Sequence, residues 1–86
     1  MGLIQMKAVV LLNSVDKVRE FVKITQEVSY DVDLRSNRGT YLDGKSILGI
    51  MSCDIRKPLQ VDIHAEIGEC REYLDDIDRF IVQIAV

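Results

Sequence analysis

Few side chains in this protein are equipped for chemistry, and the most informative of them sit in Lys45-Ser46-Ile47-Leu48-Gly49-Ile50-Met51-Ser52. Ser46 follows the turn residues Asp43-Gly44, which makes its hydroxyl a candidate cap for the first N–H groups of a short helix. An anion at such a position meets free donors and a favourable dipole. Asp54 and Pro58 close the segment behind it. A helix this short needs tertiary packing to persist. Ile47, Leu48, Ile50 and Met51 exceed the apolar stripe that two helical turns can bury, so at least one is core and others face outward. Leu48 and Met51, one turn apart, are the pair expected to be exposed, on a surface suited to docking. The remaining candidates are sparse. His64 is the single histidine, and Cys53 and Cys70 form no Cys-x-x-Cys pair, so no zinc set, other metal site or cofactor is expected. The two cysteines read as buried reduced thiols. Asp16 falls in the first turn of an expected helix, where a carboxylate ordinarily serves the helix dipole.

The elements that must position these residues follow from periodicity. Ile4, Met6, Ala8, Val10 and Leu12 share one side of an extended chain, which predicts a first strand over Ile4 to Leu12. Asn13-Ser14 supplies capping chemistry for a first helix expected from Val15 to Val28, with Val15, Val18, Phe21, Val22, Thr25 and Val28 on its stripe. Tyr30, Val32 and Leu34 alternate with acids and Arg35 as a second strand. Ser36-Asn37-Arg38-Gly39 turns into a third strand at Thr40-Tyr41-Leu42. After the central helix, Leu59, Val61, Ile63 and Ala65 alternate with Gln60, Asp62 and His64 as a fourth strand. Beyond Gly68, Cys70, Tyr73, Leu74, Ile77, Phe80, Ile81 and Ile84 recur at helical steps and predict a last helix. The order β-α-β-β-α-β-α predicts an α+β, two-layer open-faced sandwich. A four-stranded antiparallel sheet carries three helices on one face and a solvated face bearing Lys7, Asp31, Asp33, Gln60, Asp62 and His64. A ferredoxin-like split β-α-β fold shares this element list, so the pattern alone leaves strand order open.

Composition narrows the function classes. Eighty-six residues at 48% apolar content fit one domain spanning 1–86. Fourteen acidic against eleven basic residues leave a formal charge of −3, scattered along the chain, which argues against direct nucleic-acid or anionic-membrane binding. The longest apolar run, Ala8 to Leu12, is far short of a membrane span, and no secretion-type leader is evident, so a cytoplasmic location is expected. Monomer or weak dimer is the expected state, the exposed edge of the first strand being the place where two copies could pair.

The central segment resembles Lys-Ser-Ile-Met-Gly-Val-Met-Ser of HPr, the histidine-containing phosphocarrier of the bacterial sugar phosphotransferase system. More weakly, the likeness extends over nearly the whole chain. It implies strand order 1-4-2-3. It also implies a phosphorylatable histidine at the start of the first helix, but Ser14, Val15, Asp16, Lys17 and Arg19 occupy that stretch and none is histidine. Ser14, Val15 or Asp16 replaces it. An imidazole suits the relay because its phosphoramidate can be passed on at neutral pH, whereas a serine ester is too stable. In the family the serine matching Ser46 is a target of an HPr-type serine kinase, and the phosphorylated form binds a catabolite-control transcription factor. Lys45, Ile47, Leu48 and Met51 match its partner-binding positions, with Lys17, Arg19 and Lys45 as a basic rim. The resemblance therefore implies a non-enzymatic regulatory, protein-binding domain. The alternatives are a carrier using Asp16 or His64 as acceptor, or a small-ligand regulatory module of ferredoxin-like topology.

Overall fold

The computed structural model describes residues 6–85. Strand β1 (Met6–Val10) leads into helix α1 (Val15–Thr25), then β2 (Val32–Arg35) and β3 (Tyr41–Asp43) form a hairpin. Helix α2 (Ile47–Met51), β4 (Leu59–Ile63), α3 (Ile67–Asp76), a 3-10 turn at Asp78–Phe80 and β5 (Ile81–Ala85) complete the order. One antiparallel sheet runs β3-β2-β4-β1-β5. A ferredoxin-like split unit would place β3 between β1 and β2. Here β4 lies there, so the order 1-4-2-3 holds with a fifth strand added outside β1.

Alternation along the strands builds the core. Met6, Ala8 and Val10 of β1, Val32 and Leu34 of β2, and Leu59, Val61 and Ile63 of β4 are buried. They join Val18, Phe21 and Val22 of α1, Ile50 of α2, and Cys70, Tyr73 and Leu74 of α3 in one cluster. Burying this set is the main term that opposes the chain's conformational entropy. Phe21 and Phe80 meet edge to face with centroids 6.0 Å apart, which fastens α1 to the 3-10 turn. The Thr25 hydroxyl contacts Phe21 O at 2.8 Å and the Tyr73 hydroxyl at 2.6 Å, linking α1 to α3 inside the core.

Three expectations require correction. The last helix stops at Asp76, and the apolar residues Ile81 and Ile84 belong to β5, paired with Val10 and Ala8 of β1. Ile81-Val82-Gln83-Ile84 is rich in β-branched residues, and the open edge of β1 gives it a ladder that a continued helix would leave unpaired. The edge of β1 is therefore covered, and the outer edge of the sheet on that side is β5. Helix α1 ends at Thr25, three residues earlier than the stripe predicts. The chain leaves it through tighter bonds, Glu27 N to Ile24 O and Val28 N to Thr25 O. On the sheet's open face Asp62 is only 1% exposed, not solvated, and its carboxylate accepts from Gln60 Nε2 at 2.7 Å. The predicted start of β1 at Ile4 lies outside the described residues.

Candidate functional site

The turn before α2 is built by short-range bonds. Asp43 Oδ1 accepts from Lys45 N at 2.9 Å and Asp43 O from Ser46 N at 3.1 Å, folding the chain back on itself. Gly44 N donates to Val32 O at 2.8 Å, and a Cβ on Gly44 would stand 2.6 Å from that same oxygen, so only glycine permits this approach. Ser46 is then the N-cap of α2, its extended backbone (φ −118°) aiming Oγ at Gly49 N, 3.0 Å away. At the far end Ser52 donates from its hydroxyl to Gly49 O. Five residues of helix are thus held at both ends by serines.

Packing sorts the four apolar residues of this helix. Ile50 is fully buried, while Leu48 is 85% exposed, Ile47 39% and Met51 38%. Leu48 and Met51 are thus exposed as expected, with Ile47 as exposed as Met51. Together they give α2 an exposed apolar surface. Lys45 points elsewhere. Its Nζ donates to Val28 O at 2.7 Å, and Gln26 Nε2 donates to Lys45 O at 3.0 Å, so the end of α1 is clasped to the start of the Ser46 turn. Neither bond has a sequence signature, because the partners are seventeen and nineteen residues apart.

The start of α1 is set by its cap and the turn before it. Asn13 takes a left-handed backbone (φ 41°), which asparagine tolerates better than most residues, and turns the chain out of β1. Ser14 caps α1 by accepting from Lys17 N at 3.2 Å, and Asp16 stands in the first turn. Val15, Asp16, Lys17 and Arg19 are exposed. Asn13 N donates to Ile55 O at 2.9 Å, tying this end of α1 to the chain that follows α2. Among the described residues no group of three or more His, Cys, Asp or Glu side chains converges to hold a metal ion.

His64 lies apart from both segments, on the sheet face turned away from the helices. It is half-buried, with Nε2 3.0 Å from Asp33 Oδ2 and its backbone N–H on Asp31 O. The imidazole expected on a solvated face is thus half-buried and paired. The strand order would have revealed it: with β2 beside β4 and Asp33 opposite Asp62, His64 is the next residue but one on the same face. A separate cleft of about 460 Å³ opens between the end of α1 and α3, its lining including Tyr30, Tyr73, Glu69 and Glu72. Desolvation raises the Tyr30 phenol above its ordinary range, with Cys70, Glu69 and Glu72 adding to the shift.

Compared with known proteins, residues 17–83 match the family model described as "PTS HPr component phosphorylation site". The match begins at Lys17, directly after the Ser14 to Asp16 stretch, and takes in the whole of α2. No curated protein and no solved structure matches the chain.

Proposed function

The chain belongs to the HPr family of the phosphotransferase system, and on that premise we propose that it is a regulatory, protein-docking member without histidine phosphocarrier activity. The observation that carries this reading is the contrast between the two segments. The α1 start offers Ser14, Val15 and Asp16 and no imidazole, whereas α2 keeps a capping serine beside exposed Ile47, Leu48 and Met51. A partner protein seats on that apolar surface. Phosphorylation of Ser46 places about two negative charges at its edge and so selects between partners. An HPr-type serine kinase and a catabolite-control transcription factor are the partner types this reading calls for. No catalytic step is assigned to the chain.

Incubation with ATP and an HPr-type serine kinase, read by intact mass, tests the switch. A gain of one phosphate that Ser46→Ala lacks supports it, and no gain with an active kinase removes it. One contact supports a second reading, phosphoryl carriage on His64. Asp33 fixes Nε2 and leaves Nδ1 as the free ring nitrogen. Against it, Asp31, Asp33 and Asp62 surround that face with negative charge. Asp16 as acceptor has only its exposure in its favour. Phosphoenolpyruvate with the general phosphotransfer enzyme separates these cases: a mass gain that is acid-labile and lost in His64→Ala, or hydroxylamine-labile and lost in Asp16→Asn, would establish the carrier, and none would leave the docking reading.

A further inference from the structure

Strand β5 ends the sheet, and among the described residues its outer edge has no neighbour. Open strand edges are ordinarily protected by charge, proline, shortness or a bulge. The opposite edge, β3, has three residues and carries Asp43. By contrast β5 has five residues, Ile81-Val82-Gln83-Ile84-Ala85, with no charge and no proline, whereas each of the other four strands bears at least one charged side chain; the one guard it carries is a register shift at Val82, between the Val9–Gln83 and Val10–Ile81 pairs. Val82 is 58% and Ile84 53% exposed, so the edge is apolar as well as open.

We infer that β5 is a homodimerisation edge, its occupant being β5 of a second copy of this chain. The sequence around Gln83 selects that occupant. In an antiparallel pair related by a twofold axis, directly opposite residues share a face, so the axis must pass beside a residue and not between two. With the axis at Gln83, Val82 of each copy lies opposite Ile84 of the other. Both exposed apolar side chains are then covered twice over, and the sheet continues through ten strands. Two copies of a chain with net charge −3 repel each other, and an uncharged strand is where they can approach at least cost. A five-residue edge buries well under the roughly 1,200 Å² of a standard stable interface, so the dimer is weak and concentration-dependent. This contact leaves the α2 surface free and does not depend on the docking reading.

Sedimentation of the full chain over a wide concentration series tests the inference. The expected result is a monomer–dimer equilibrium that is lost in Val82→Lys and in Ile84→Glu, each shown to be folded by circular dichroism. Mixing the two variants should restore the dimer, because the proposed register sets Lys at 82 against Glu at 84 of the other chain. A monomer at every concentration, a dimer indifferent to both variants, or a mixture that stays monomeric would each overturn it.

Discussion

At the scale of single residues, two glycines and a serine fix the geometry of helix α2, and each makes a separable demand. Ser46→Ala leaves Gly49 N without its partner. The expected cost is about 1 kcal/mol, or roughly 4–8 °C in melting temperature for a chain of this size. Ser46→Asp, which also accepts that bond, should melt near the parent. Gly44→Ala forces a Cβ against Val32 O, a backbone atom that cannot rotate away. It should cost about 1–3 kcal/mol, read as a lower urea midpoint at unchanged slope. Gly49 tests the cap from the other side. A helical Gly→Ala change ordinarily gains about 1 kcal/mol, but here the new Cβ would stand 3.2 Å from Ser46 Oγ. Gly49→Ala should forfeit most of that gain, and a full rise in melting temperature would mean that Ser46 does not hold its hydroxyl there.

At the scale of elements, α2 separates a buried Ile50 from exposed Ile47, Leu48 and Met51. Ile50→Ala should cost about 2–5 kcal/mol, as for a buried aliphatic side chain, while Leu48→Ala should stay within about 0.5 kcal/mol and weaken only partner capture. The cap and the outward-facing apolar residues were legible in the sequence, since Ser46, the Asp43-Gly44 turn and the excess of apolar residues are all local signals. The end of the chain was not. Ile77, Phe80, Ile81 and Ile84 fit helical steps of three and four, yet Ile81 and Ile84 also have the β-branched character of a strand. What decides between the two is the vacant edge of β1, more than seventy residues away in sequence. The same blindness to distance hid the Lys45 bond to Val28 O and the pairing of His64 with Asp33. Hydrogen exchange distinguishes the two arrangements. With β4 on one side and β5 on the other, all the amides from Lys7 to Val10 should exchange slowly, whereas a β1 left at the edge would show fast and slow amides in alternation.

At the scale of the whole molecule, the titrating groups place its weak flank on the alkaline side. Burial pushes the Cys53 and Cys70 thiols up, and it pushes the Tyr30 and Tyr73 phenols up too, with Tyr73 the most strongly held neutral. A group whose folded pKa lies above its unfolded value contributes stability below the unfolded value and loses it as pH rises through the folded one. Unfolded thiols ionise near ~8.5 and phenols near ~10. The urea midpoint should therefore fall above about pH 9. On the acid side the Asp54 carboxyl is held low, at about 2, by hydrogen bonds from Arg56. Its contribution is present above the ordinary carboxylate range and lost as pH falls toward that value, but the group is exposed and the effect small. Tyr73→Phe isolates the largest alkaline contribution. Removing the hydroxyl breaks its bond to Thr25, and the variant should be about 1 kcal/mol less stable at pH 7. A phenylalanine has no proton to lose, so the gap between variant and parent should close above pH 10. A gap that stays constant would mean that Tyr73 ionises as readily in the folded chain as in the unfolded one.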